Sequence, residues 1–167
     1  MRSERGYTLF ELLIAVGLIG VLSAVALPVF LSSNALNDLW TSSERIGALI
    51  RQTRLKAITQ NKSYILRFDC PAENQLRALV VTGDAAIDTA EDRCNLEQDG
   101  DSAIMEMETG VVYTPGAATE LQVTGRGAFT ATGDAIPLTI SVTYGDAARY
   151  LTVSATGQIT FSDTAPE

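Results

Sequence analysis

Hydrophobic positions change their pattern as the chain proceeds. From Leu12 to Leu31 they run without interruption, with no charged side chain and Ser23 as the only hydroxyl. Roughly 20 apolar helical residues cross the hydrocarbon core of a bilayer, so this run is long enough to span one. From Ser32 to about Gln60 polarity rises, yet Leu36, Leu39, Trp40, Ile46, Leu49, Ile50, Ala57 and Ile58 recur at three- and four-residue intervals. That is the period of an amphipathic helix. The pattern predicts one helix from about Thr8 to Asn61. Its second half packs an apolar stripe on a sheet and turns Arg45, Arg51, Arg54 and Lys56 outward, either as a solvated face or toward acidic neighbours. Asn61 suits the helix end.

Beyond Lys62 the period falls to two and β-branched residues dominate. Strands are predicted at Ser63 to Phe68, Arg77 to Thr82, Ala103 to Glu108, Val111 to Tyr113, Glu120 to Thr124, Ala128 to Thr130, Leu138 to Tyr144, Arg149 to Ser154 and Gln158 to Phe161. Tyr144-Gly145-Asp146 and Thr156-Gly157 supply breaks between antiparallel neighbours. A long helix followed by many short strands predicts an α+β domain, the helix laid on an antiparallel sheet or small β-sandwich.

Arg2 and Arg5 precede the apolar run, which places the N-terminus in the cytoplasm and everything after Leu31 outside it. A secretory signal peptide has a shorter apolar core, a small-x-small cleavage site and no carboxylate at its head. Here Glu11 stands at the head of the run. An ionisable group there either rests in the headgroup layer or has a partner and a function. Gly17, Gly20, Ser23 and Ala24 lie at near-helical spacing, which either lets other helices approach closely or reflects the ordinary tolerance of membrane helices for small residues. Pro28 removes a backbone donor inside the run and is expected to kink or locally unwind the helix.

The stretch Gly6-Tyr7-Thr8-Leu9-Phe10-Glu11-Leu12-Leu13-Ile14 resembles the class III leader junction of type IV pilins and type II secretion pseudopilins, with Tyr7 where the family usually has Phe. The resemblance implies cleavage by prepilin peptidase between Gly6 and Tyr7, N-methylation of Tyr7, and retention of the apolar helix as anchor. Glu11 then stands fifth in the mature chain, where its carboxylate can neutralise the amine of an axially displaced neighbour. In a low-dielectric bundle unpaired charges are costly, so such pairing favours assembly in one register. Pro28 resembles a proline of type IV pilins, at the segment that stretches in the filament; secretion pseudopilins often lack it.

Composition narrows the remaining chemistry. The 167 residues carry 12 basic and 20 acidic side chains and no histidine, for a formal charge of −8. Loss of a six-residue leader removes Arg2, Arg5 and Glu4 and leaves the mature chain more acidic still. Such a domain is a poor electrostatic match for nucleic acid. Cys70 and Cys94, the only cysteines, are expected to form a disulfide outside the cytoplasm. The acidic tract from Asp84 to Glu108 reads as a solvated loop, as a weak Ca²⁺ site at Asp99 and Asp101, or as a docking surface for a neighbouring subunit. Without histidine, a nucleophile elbow or an acid/base pair at informative spacing, nothing points to an enzyme.

Arg51 to Arg67, reading RQTRLKAITQNKSYILR, and the closing LTVSATGQITF resemble the GspH/FimT branch of minor pilins and pseudopilins. That branch ends its helix in an Ala-Arg-x-x-Ala-Ile type sequence, matched here by Thr53-Arg54-Leu55-Lys56-Ala57-Ile58 except at Thr53. Some FimT-like pilins bind DNA through a C-terminal Gly-Arg-x-Arg element. Here Gly157-Gln158-Ile159-Thr160 lacks both arginines, and Gly125-Arg126-Gly127 is a lone basic turn.

The resulting expectation divides the chain into a leader (1–6), a transmembrane and assembly helix (7–31), the amphipathic half of the same helix (32–61) and a periplasmic β-rich domain (62–167). The implied function is that of a minor type IV pilin, or alternatively a minor type II secretion pseudopilin at the pseudopilus tip. The implied partners are other minor and major pilins or pseudopilins, prepilin peptidase and the bacterial inner membrane. No cofactor is expected.

Overall fold

The computed structural model describes residues 8–166, with only the backbone described at 24–35. Its helix α1 spans Leu9–Gln60 and is followed by β1 (Tyr64–Phe68), β2 (Gln75–Val80), the short α2 (Ala85–Asp88), β3 (Met105–Glu106) and β4 (Val112–Thr114). β5 (Glu120–Val123), β6 (Phe129–Thr132), β7 (Leu138–Tyr144), β8 (Ala147–Val153) and β9 (Ile159–Ser162) complete the order. The architecture is the expected α+β. By contacts the chain divides into two compact units, 1–37 and 38–167.

From Leu9 to Leu22 the helix carries apolar side chains on every face. Leu9, Phe10, Leu12, Leu13, Ile14, Val16, Leu18, Ile19, Val21 and Leu22 are all exposed. The helix continues through Pro28; a missing donor leaves one carbonyl free without ending the helix. Among the described residues no helix is long and apolar enough to cross a membrane. The run expected to do so ends at Leu31, and its side chains from 24 onward lie outside the described residues.

The second unit is built on the other half of α1. Leu39, Ser42, Ser43, Ile46, Ile50, Thr53 and Ala57 are buried on one stripe, at the spacing a helix needs to seat one face. Of the three buried hydroxyls, Ser43 and Thr53 donate to the helix's own carbonyls, of Trp40 at 2.8 Å and Leu49 at 2.7 Å, whereas Ser42 Oγ finds no partner among the described residues. The helix ends in a Schellman motif: Asn61, at φ +50°, donates to Ile58 O at 3.3 Å, and Lys62 donates to Ala57 O at 3.1 Å.

All nine strands pair antiparallel. One sheet has the order β3-β2-β1-β5-β6 and the other β4-β7-β8-β9. Register puts Tyr64 beside Val80 and Val123, and Leu66 beside Ala78 and Leu121, so one face of the first sheet is apolar. Leu138, Ile140, Val142, Leu151 and Val153 do the same for the second. The inward faces of both sheets and the helix stripe form one contiguous core. Gly47 lets the helix approach closely, because a Cβ there would lie 2.8 Å from Phe161 Cζ. Strand boundaries fall within two residues of expectation, and β3 is trimmed at both ends to two residues.

Replacing buried Ile46 by Ala is expected to cost about 2–5 kcal/mol. Leu55→Ala, at 62% exposure, should stay within about 0.5 kcal/mol. Denaturant unfolding followed by the fluorescence of Trp40, the single tryptophan, measures both.

Candidate functional site

The head of the apolar helix is a capping box. Thr8 Oγ1 accepts the Glu11 N–H at 3.2 Å, and Glu11 Oε2 accepts the Thr8 N–H at 3.5 Å. Thr-x-x-Glu is the sequence signature of this motif, so the local role of Glu11 is legible at Thr8 as well as its candidate intermolecular one. The Thr8–Glu11 contact sits at the outer limit of a hydrogen bond and both groups are exposed, so the carboxylate is held by one weak local bond. Gly6 and Tyr7 lie outside the described residues, as does the side chain of Pro28.

Further along, Gly17 and Gly20 face open space, with nothing within 4 Å of a Cβ built on either. Ser23 donates to Ile19 O at 2.8 Å and so adds no unsatisfied polar group to this surface. The segment offers apolar side chains, small residues and one carboxylate at its head. Its described side chains offer surface for packing.

The basic residues of the second half of α1 do not all point outward as expected. Arg45 pairs with Glu108 at 2.7 Å and Arg51 with Glu44 at 3.7 Å. Arg54 donates through Nε to Gly127 O at 3.1 Å; its side chain also packs where a Cβ on Gly127 or Gly157 would fall. Arg45 and Arg54 thus tie the helix to loops of its own domain, while Arg51 pairs within the helix. Arg149, from β8, is buried with its guanidinium 3.8 Å over the Trp40 ring and 4.8 Å from Phe161, and it donates to Ser43 Oγ at 3.0 Å. Arg126 is exposed in the β5–β6 turn beside Asn61.

The acidic tract is a folded strap over the outer face of β2. Leu79 and Arg77, which alternate with the core-facing residues of β2, are both buried. Arg77 donates to the carbonyls of Cys94 at 2.6 Å and Ser102 at 3.1 Å. The expected Cys70–Cys94 disulfide is present and fixes the strap at its middle. Arg93 and Asp101 form an ion pair at 2.7 Å with side chains 2% and 0% exposed. Asp101 also accepts the N–H groups of Val80 at 2.7 Å and Gln98 at 3.0 Å.

The Ca²⁺ expectation for Asp99 and Asp101 is therefore corrected. Both oxygens of Asp101 are committed to the Arg93 guanidinium and backbone donors, leaving the carboxylate no room for a cation. Among the described residues no group of three or more His, Cys, Asp or Glu is arranged to hold a metal. Burial works to raise the Asp101 pKa, but the hydrogen bonds from Arg93, Val80 and Gln98 outweigh it and hold the carboxyl below its ordinary value. Asp88 is likewise lowered against the effect of burial, by the Thr82 N–H and hydroxyl and the Gly83 N–H. Neither the buried pair nor α2 was foreseen: in a run of acidic residues nothing marks Asp101 as the one that folds back on Arg93.

Residues 1–27 match the family described as the prokaryotic N-terminal methylation motif. The fold is similar to the crystal structure of the type IV minor pilin FimU of Pseudomonas aeruginosa strain PAO1. In one crystal form the TM-score is 0.57 at 16% identity, over 78% of this chain and 94% of that one. In a second form it is 0.54 at 16% identity, over 77% and 97%. No curated protein matches the sequence.

Asp101→Asn removes the charge that balances buried Arg93, and the expected cost at neutral pH is about 3–5 kcal/mol. Because the folded pKa is depressed, the Asp101 contribution is complete above the unfolded value of about 3.9 and is lost as pH falls through the lower folded one. Urea unfolding should therefore show a full difference between the parent chain and D101N at pH 7 that narrows below pH 3.9. A pH-independent difference would contradict this assignment.

Proposed function

We propose that this chain, type IV pilin-like in its N-terminal methylation motif and in its fold, works as a minor pilin of the GspH/FimT kind that helps initiate or cap filament assembly. The observation that carries the reading is the uncovered apolar helix: Leu9 is 80% and Leu22 69% exposed, and their apolar neighbours are exposed with them. Burying one such side chain stabilises by about 1.5–3 kcal/mol. A helix of this kind requires either lipid or other helices around it.

In this reading prepilin peptidase cuts between Gly6 and Tyr7, Tyr7 is N-methylated, and residues 7–31 hold the chain in the inner membrane with the N-terminus cytoplasmic and the β domain periplasmic. On extraction into the filament the helix exchanges lipid for the helices of other minor and major pilins. The weak Thr8–Glu11 contact supports a carboxylate that can leave its local donor for the amine of a neighbouring subunit. The opposite charges then neutralise each other in a medium where neither could remain alone. Pro28 favours a pilus over a secretion pseudopilus, and the absence of both arginines from the closing hairpin speaks against DNA capture.

Glu11→Gln keeps the size and hydrogen-bonding capacity of the side chain and removes its charge. Incorporation into sheared filaments, normalised to the membrane pool, should fall by about tenfold or more, a loss of about 1.4 kcal/mol or greater, while cleavage after Gly6 continues. Undiminished incorporation of processed E11Q would refute the charge-pairing role.

A further inference from the structure

The outward face of the second sheet has a chemistry that the assembly reading does not use. Register aligns its side chains in cross-strand rows: Thr114, Ser141, Tyr150 and Ser162 form one, and Thr139, Thr152 and Thr160 the next. A third joins Val112, Thr143 and Ala148. None of these side chains is charged, in a chain whose formal charge is −8. Adjacent strands lie about 4.8 Å apart and alternate residues on a strand about 6.8 Å apart, so the hydroxyls stand in a regular array. A depression of about 520 Å³ crosses it, lined by Thr114, Thr139, Ser141, Tyr150 and Thr152 of these rows and bordered by Gly116, Pro137 and Pro166.

These hydroxyls are only partly used within the chain. Thr139 and Thr152 share one hydrogen bond at 3.2 Å. Ser141 and Thr143 reach the carbonyls of Thr114 and Val112 only at 3.4 Å. Beneath them Leu138, Ile140, Val142, Leu151 and Val153 are buried, so the array stands on a packed floor.

We propose that this face binds a neutral glycan chain. A hydroxyl both donates and accepts, which matches a ligand whose own polar groups are hydroxyls. The Tyr150 ring offers a rigid apolar surface with a polar tip, suited to the C–H face of a pyranose. The rows themselves carry no charged side chain, so contact with them desolvates no ion, and the acidic field of the rest of the chain disfavours polyanionic polysaccharides. A protein partner would call for an apolar centre around its anchors; here the neighbours of Tyr150 across the strands are Ser141 and Ser162, and the large exposed aliphatic side chain Val112 sits on the edge strand. This site is independent of the assembly helix, and its test does not depend on filament incorporation.

The test uses the full isotope-labelled chain in a detergent without sugar headgroups, titrated with cellohexaose, chitohexaose and maltohexaose, and with a hexameric oligouronate as the charged comparison. At concentrations that would saturate a millimolar complex, at least one neutral hexasaccharide should give saturable amide shifts centred on Thr139, Ser141, Tyr150 and Thr152. Tyr150→Ala and the pair Thr139→Val with Thr152→Val should each weaken binding by about tenfold or more while retaining the folded spectrum. Thr130→Ala, on the other sheet, should leave it unchanged. No saturable shift with any neutral hexamer, shifts centred elsewhere, undiminished binding by folded Y150A, or equal binding of the oligouronate would each overturn the proposal.

Discussion

The structure of the β-rich unit depends on burial of a single helical stripe. Leu39, Ile46, Ile50 and Ala57 occupy the face that closes the core, and Gly47 removes the side chain that would hold β9 away. Once that stripe is seated, the outer residues of the same helix are free to tie down loops. Arg45 meets Glu108, and Arg54 caps the Gly127 carbonyl. Arg149 supplies the reverse tie, from strand to helix, stacking on Trp40 and reaching Ser43. Helix and sheets are thus held by apolar contact at the centre and by charge-assisted bonds around it.

Much of this was legible in the residues because period and chemistry agreed. The switch from three- and four-residue spacing to alternation falls where the helix ends, and Asn61 marks that end because it tolerates the left-handed backbone a Schellman motif requires. Leu138 to Tyr144 alternates cleanly and is a strand over that whole range. Arg77 to Thr82 was harder to place: Gln75 and Leu76 join the strand, and both faces of β2 are covered, which blurs the alternation that defines a half-buried strand. The Cys70–Cys94 link followed from count and compartment. The Arg93–Asp101 pair did not, since a buried ion pair depends on a chain reversal that no local pattern encodes.

The same contrast holds for the apolar helix. Its length, its all-round hydrophobicity and Glu11 at its head were plain in the sequence. That Glu11 closes a capping box on Thr8 gives the carboxylate a local function as well, stabilising the first turn against fraying. In the proposed assembly, a carboxylate that caps its own helix weakly and then neutralises an incoming amine would be satisfied in both states. This suits a residue that must persist in the chain through both environments.

The most direct test of the central claim, that this is a processed subunit whose exposed apolar helix becomes buried in a filament, is quantitative mass spectrometry of sheared surface filaments beside the matching membrane fraction. The account predicts a trace subunit in the filaments whose first residue is N-methylated Tyr7. The same processed peptide confined to membranes would redirect the reading to a short secretion pseudopilus. A chain still beginning at Met1 in both fractions would contradict the account and leave a plain anchored protein.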